Sequence, residues 1–272
     1  MLRKSIFKLF QNRNKDLHDS QFAKDSLEQI QIPRHLAVIM DGNGRWASQR
    51  GLPRTAGHRA GAENLRTLCS LCGKRGIQYL TVYAFSTENW SRPKTEVQAL
   101  MELFVEFFNR YERELEKEGV RVRFMGERTG LPDRVLNIMN RAEIHSIGRP
   151  NMQLIIAFNY GGRHEIVSAC QKLAKAAAKG DQNPDQIDEV LFSSALYLPD
   201  VPDPDLIIRP SGEQRLSNFL LWQAAYSELW FSDVLWPDFK EEHLDAALAD
   251  YTNRERRYGG LSKHKTESGA EK

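Results

Sequence analysis

The hydrophobic positions of the chain change period repeatedly, and each change marks an element. HLAVIM (35–40) is a short apolar run behind Pro33 and predicts a strand. Over 58–74, Leu65, Leu68, Leu71 and Cys72 recur at helical spacing, with Gly73 and Gly76 near the end. IQYLTVYAF (77–85) predicts a second strand. Over 95–117, Val97, Leu100, Met101, Phe104, Phe107 and Phe108 predict a long amphipathic helix that stops at Gly119. A strand over 120–125 and a proline-opened helix over 132–147 follow. MQLIIAF (152–158) is nearly all apolar, as a strand covered on both faces would be. Helices are expected over 163–179 and 186–196, then a loop marked by Pro199, Pro202 and Pro204. Short strands over 206–208 and 229–231 and a last helix over 241–258 complete the pattern.

This alternation predicts one α/β domain, a mostly parallel central sheet flanked by helices. Residues 1–31 and 261–272 are polar and irregular and are expected to be flexible, which leaves 32–260 as the ordered domain. Open parallel sheets bind ligands beyond the carboxyl ends of their strands, so the residues just after each strand are the place to look for chemistry.

Those residues share a character. The first strand is followed by Met40-Asp41-Gly42-Asn43-Gly44-Arg45-Trp46, then Arg50, Arg54, His58 and Arg59. Glycines let backbone N–H groups approach an anion, and arginine neutralises a phosphate. Asp41 would repel a bare phosphate, so its presence points to Mg²⁺ between the two. The second strand is followed by Ser86-Thr87-Glu88-Asn89-Trp90-Ser91-Arg92, the MQLIIAF strand by Asn159-Tyr160-Gly161-Gly162-Arg163, and the LII strand by Arg209-Pro210-Ser211-Gly212-Glu213-Gln214-Arg215-Leu216-Ser217-Asn218. Loops of glycine, hydroxyl and arginine at four strand ends suggest a site for more than one phosphate group. The phenylalanines of the long helix read first as core, and second as the lining for an apolar ligand.

Competing motifs fit less well. Gly42-x-Gly44-x-x-Ala47 matches a dinucleotide fingerprint, but Asp41 would meet the pyrophosphate, and the next strand ends too late for a compact βαβ unit. Asn43 replaces the second aspartate of a D-x-D phosphohydrolase motif, and neither a G-x-x-x-x-G-K-[ST] loop nor a D-D-x-x-D motif occurs.

Composition narrows the classes further. A formal charge of +2 excludes a polycation built for nucleic acid. No run approaches the roughly 20 apolar residues of a membrane span. The segment MLRKSIFKLF is too short in apolar length for a signal peptide, so a cytoplasmic protein is expected, with the N-terminal residues read first as a frayed extension and only second as a segment lying on a membrane surface. Cys69-x-x-Cys72 lies inside an expected helix and Cys170 stands alone, which reads as packing rather than zinc or redox chemistry.

HLAVIMDGNGRWA, GHRAGAENLR, YLTVYAFSTENWSRP, IAFNYGGRHEIV, IIRPSGEQRLSNFLLWQAAYSELWF and DVLWPDF together resemble the cis-prenyltransferases, most closely the bacterial undecaprenyl diphosphate synthases. The likeness covers about 32–260. It implies a fold with an apolar tunnel, and a reaction in which isopentenyl diphosphate is added repeatedly to farnesyl diphosphate. The product would be a long polyprenyl diphosphate, the precursor of a cell-wall lipid carrier. By position, Asp41 matches the aspartate that holds Mg²⁺, and Glu228 the acidic metal partner. Gly42, Asn43, Gly44, Arg45, Trp46, Arg54 and His58 match the allylic diphosphate site. Ser86, Thr87, Glu88, Trp90 and Arg92 match a second substrate loop, and Asn89 the residue assigned to proton removal. An amide is a poor base, so Asn89 is read as a positioner. Arg209, Arg215, Leu216 and Ser217 match the isopentenyl diphosphate site. Pro210 departs from the usual threonine and lacks an N–H. The likeness also implies a homodimer, with Arg257-x-Gly259 as a terminal signature that reaches the partner's site, and membrane contact when the lipid product is released.

Overall fold

The computed structural model describes residues 31–254. The N-terminal extension up to residue 30, the last turns expected of the final helix, Arg257-x-Gly259 and the C-terminal tail lie outside the described residues. The elements run β1 (His35–Ile39), α1 (Asn43–Ser48), α2 (Arg54–Arg75), β2 (Tyr79–Ser86), α3 (Lys94–Lys117), β3 (Arg121–Met125), α4 (Asp133–His145), β4 (Gln153–Tyr160), α5 (Gly162–Ala178), α6 (Glu189–Ser194), β5 (Leu206–Pro210), β6 (Glu228–Ser232) and α7 (Glu241–Thr252).

Six strands form one sheet in the order β3-β4-β2-β1-β5-β6, and every neighbouring pair is parallel. The chain lays β2, β4 and β3 on one side of β1, then crosses back to place β5 and β6 on the other. Strand order therefore reverses beside β1, where ligand crevices form in such sheets.

Period-2 alternation explains the continuous apolar strands. In β4, Leu154, Ile156 and Phe158 enter one core and Ile155 and Ala157 the other, and the break at Asn159 (φ 52°) turns Tyr160 into that second core as well. In β1, Leu36 and Val38 divide from Ala37 and Ile39 in the same way. Each such buried side chain contributes about 1.5–3 kcal/mol relative to an exposed one. The larger core is completed by α2, α3, α4 and α7. In α3, Val97, Met101, Phe104, Phe108, Tyr111 and Leu115 form its buried stripe at spacings of three and four. The phenylalanines are thus packed core, with Phe104 against Phe108, Phe124 and Phe158 at 4.5–5.7 Å between centroids. Cys69 and Cys72 are buried in α2, and burial pushes the Cys72 thiol up to about 12.

Two elements differ from expectation. Residues 43–48, read as loop, form the short helix α1. The helix expected over 186–196 is a 3₁₀ turn (Pro184–Gln186) followed by α6, because the Asp188 side chain accepts from Leu191 N and starts a new helix. Among the described residues no helix is long and apolar enough to cross a membrane.

Candidate active site

The site is built on the carboxyl ends of β1, β2, β4 and β5. Gly42 turns the chain from β1 into α1 at φ 102°, and a Cβ there would lie 2.9 Å from Leu235 Cδ2. Only glycine accepts both constraints. This turn presents Asp41, whose Oδ1 accepts from Gly42 N at 2.6 Å and whose Oδ2 accepts from Arg209 Nη2 at 2.9 Å. Arg45 stands 3.7 Å from Oδ1. Burial alone would raise the Asp41 carboxyl. The Arg209 hydrogen bond and charge, the nearby Ser211 hydroxyl and the Gly42 N–H outweigh it and hold the group below the usual aspartate range.

Arg209 is 5% exposed, although it ends a strand. Its Nη1 donates to Ser217 Oγ at 2.7 Å and to the Arg215 carbonyl. Its Nε and the Ser211 Oγ are buried without a hydrogen-bond partner, as is Asn43 Oδ1. Arg45 donates to the Ser211 carbonyl at 2.8 Å, and Glu213 lies between Arg45 (3.9 Å) and Arg215. Asp41, Arg45, Arg209, Arg215 and Ser217 are therefore one cluster. Leu216 packs against the smaller core beneath it. Pro210 lies beyond the last β1–β5 partner pair, Val38–Ile208, where the ladder toward β1 has ended.

A second cluster gathers on Glu96, in the first turn of α3. Arg92 reaches it at 2.9 Å, Arg54 at 3.3 Å and His58 at 3.4 Å. Burial would raise the Glu96 carboxyl, but Arg54 and Arg92 together hold it low. Burial lowers the His58 imidazole, with Arg92 acting in the same direction and Glu96 against it. The Arg54 guanidinium lies over Gly44, about 3 Å from where a Cβ would stand, which joins this cluster to the first loop. Glu96 had no assigned role in the sequence, where the only signal is its spacing of four from Arg92.

The β2 loop is a 3₁₀ turn, Thr87–Ser91. Asn89 Oδ1 accepts from Ser86 N at 3.1 Å and so holds the turn closed, the geometry of a positioner. Trp90 Nε1 donates to Asn159 Oδ1 at 2.8 Å, and its ring stands edge-on to Phe85 at 5.2 Å. Asn218 ties three loops together. It donates to Glu88 Oε1 (2.7 Å), accepts from Arg163 N (2.8 Å) through its side chain, and accepts from Gly162 N (2.7 Å) through its carbonyl. Its φ of 65° suits asparagine. A cleft of about 610 Å³ opens beside this clasp, lined by Thr87, Trp90, Glu127, Asn159 and His164. A smaller one of about 270 Å³, with His58, Ala99 and Leu103 in its wall, lies on the α2–α3 seam.

Two assigned residues stand elsewhere. Trp46 Nε1 donates to Asp238 at 2.9 Å and its ring carries Arg50 at 4.2 Å, so it anchors the loop from outside the cluster. Glu228 opens β6 level with Leu206 and Leu36, at the amino end of the sheet, and accepts from Arg254 at 2.7 Å. It lies roughly 16 Å from the level of Asp41, at about 3.3 Å per residue. One chain does not bring the two carboxylates to one cation.

Residues 39–259 match the family model described as "Putative undecaprenyl diphosphate synthase". The isoprenyl transferase of Heliobacterium mobile is 52% identical over 243 residues, 89% of this chain and 94% of that protein. That of Bacillus subtilis (strain 168) is 50% identical over 241 residues, covering 89% and 93%. Among solved structures, lavandulyl diphosphate synthase from Lavandula x intermedia, in complex with dimethylallyl diphosphate, aligns with TM-score 0.81 and 38% identity over 84% of this chain and 98% of that one. A "probable undecaprenyl diphosphate synthase" from Campylobacter jejuni aligns with TM-score 0.70 and 31% identity, covering 84% and 99%.

Proposed function

We infer the activity from one premise: this chain belongs to the undecaprenyl diphosphate synthase family. It is a cis-prenyltransferase that adds isopentenyl diphosphate repeatedly to an allylic diphosphate, farnesyl diphosphate, and makes a long-chain polyprenyl diphosphate of the undecaprenyl type. The observation that carries this reading is the Asp41–Arg209 pair. An ionised carboxylate and a buried guanidinium with an N–H to spare stand beside two more exposed arginines, Arg45 and Arg215, at the strand-order reversal. Anionic oxygens fit there, and more than one diphosphate can be held.

Mg²⁺ fits the donor set. Asp41 offers hard carboxylate oxygens in the ionised state, and no group of three or more metal-binding side chains occurs among the described residues. A site with one protein carboxylate, completed by phosphate oxygens and water, is the usual habit of Mg²⁺. Bound there, the ion would offset the charge that builds on the leaving diphosphate. Arg45, Arg54 and His58 bind the allylic diphosphate, Arg209, Arg215 and Ser217 bind isopentenyl diphosphate, and Glu96 keeps Arg54, His58 and Arg92 in place. Asn89 orients its turn rather than removing a proton. The allylic carbon–oxygen bond breaks with its electron pair on the diphosphate. The isopentenyl double bond supplies the new carbon–carbon bond, and the proton it then loses passes to a diphosphate oxygen. The seam between α2 and α3 is the place for the growing apolar chain. A homodimer and contact with the inner face of the membrane belong to the same reading, and a metal role for Glu228 would require a second copy.

The test incubates the protein with farnesyl diphosphate, labelled isopentenyl diphosphate and Mg²⁺, and resolves products by length. A Mg²⁺-dependent ladder ending in a long diphosphate supports the reading. No incorporation with any allylic primer sinks it. The likeness to lavandulyl diphosphate synthase favours a second reading, a short-chain product, which the same separation would reveal as a single short band.

A further inference from the structure

We propose that Arg209 is an internal counter-ion that keeps Asp41 from taking a metal until a diphosphate arrives. The inference rests on the activity proposed above. Both Asp41 oxygens are already engaged, Oδ2 by Arg209 at 2.9 Å and Oδ1 by Gly42 N at 2.6 Å. Of the arginines in this cluster, Arg209 is the buried one, with a side chain 5% exposed against 48% for Arg45 and 63% for Arg215. Arg209 is therefore screened poorly by solvent, while the Asp41 side chain is 31% exposed, and taking the carboxylate away leaves the buried guanidinium without its partner. A dication placed on Asp41 alone would do that. It would also face the guanidinium across a shared carboxylate oxygen.

A diphosphate changes the balance. Arg209 Nη1 is held by Ser217 Oγ and the Arg215 carbonyl, which fixes the plane of the group. Its Nε is buried with an unused N–H, and the Ser211 hydroxyl near Asp41 stands next to the strand end. Anionic oxygens at these donors neutralise Arg209, so Oδ2 of Asp41 becomes available at no cost in buried charge. Metal and anion then bind with positive coupling, and by linkage each strengthens the other equally.

The test uses Mn²⁺ as the probe and water-proton relaxation enhancement as the readout, which separates protein-held Mn²⁺ from Mn²⁺–pyrophosphate in solution. The unmodified protein is expected to hold Mn²⁺ with inorganic pyrophosphate present and to show little enhancement without it. Arg209→Gln is expected to bind Mn²⁺ alone about tenfold or more tightly than the unmodified protein, the scale of one charge-assisted hydrogen bond. Arg45→Gln removes a positive charge from the same cluster but leaves the 2.9 Å bond, so its gain is expected to be smaller. Equal enhancement of the unmodified protein with and without pyrophosphate overturns the proposal. So does a gain in Arg209→Gln no larger than in Arg45→Gln. Absence of protein-held Mn²⁺ with pyrophosphate also overturns it. The elongation assay is scored separately, so a failed counter-ion role and a failed transferase reading give different results.

Discussion

The two ends of one sheet hold buried charge in opposite states. At the amino end, His35 is 3% exposed, and its ring nitrogens meet Thr81 Oγ1 at 2.7 Å and the Pro202 carbonyl at 2.6 Å. Glu228, two strands away at the same end, is bound by Arg254. At the carboxyl end, Arg209 Nε and Ser211 Oγ are buried with no hydrogen-bond partner beside Asp41, and Asn43 Oδ1, in the same state, faces Gly61 of α2. Folding satisfies nearly all the polar groups it buries. A cluster that leaves several of them open at one end of a sheet is shaped for something that arrives later, whereas the closed amino end serves the fold.

That contrast can be broken by mutation. Asp41→Asn keeps the side-chain volume and removes the charge. Turnover is expected to fall by roughly 10²–10³, the scale of removing one preorganised electrostatic group, and the melting temperature to fall with it, because the buried Arg209 loses its counter-charge. A variant with near-normal labelled incorporation would place the chemistry elsewhere. Glu96→Gln leaves Arg54, His58 and Arg92 without the charge that gathers them, and should lower kcat/KM about tenfold, through KM more than kcat. An unchanged KM would make Glu96 a helix-capping charge only. Asn218→Ala opens the clasp between three loops and should cost about 1–3 kcal/mol in urea unfolding, with a smaller loss of activity. Loss of activity without loss of stability would instead put Asn218 on the substrate.

The smallest effect on turnover is expected at the amino end. Burial pushes the His35 imidazole from the ordinary 6.5 down to about 4. The unfolded chain therefore takes up a proton that the folded chain refuses, so His35 contributes stability that is present above about 6.5 and lost as pH falls toward about 4. The Asp41 carboxyl, also held low, loses its contribution in the same direction as pH falls through its folded value. Urea midpoints between pH 7 and pH 4 should fall less steeply in His35→Gln than in the unmodified protein, while neutral-pH turnover is unchanged. An equal slope would remove His35 from the acid response.

Much of this architecture was legible in the pattern of residues. The six strands and the long helices lie within a few residues of expectation, because apolar runs and the glycine stops at Gly76 and Gly119 are local signals. The short helix α1 was not legible, since its six residues carry no apolar period. The loop residues Asp41, Arg45, Arg209, Arg215 and Ser217 were expected to be neighbours, and the structure brings them together. Trp46 and Glu228 matched family positions as well as the others did, yet one is anchored on Asp238 and the other stands at the far end of β6. Glu96 and Asn218 looked like an ordinary helix charge and an ordinary loop amide.

The sequence alone determined the layers, the parallel sheet, the family and the kind of chemistry that gathers at strand ends, because period, caps and residue type act locally. The tertiary structure decided which charges meet. Arg209 reaches Asp41 across a separation of 168 residues only because β5 lies beside β1, and that neighbourhood is set by the strand order. Whether a buried polar atom is satisfied or left open likewise depends on every element packed around it, and no stretch of sequence carries that information.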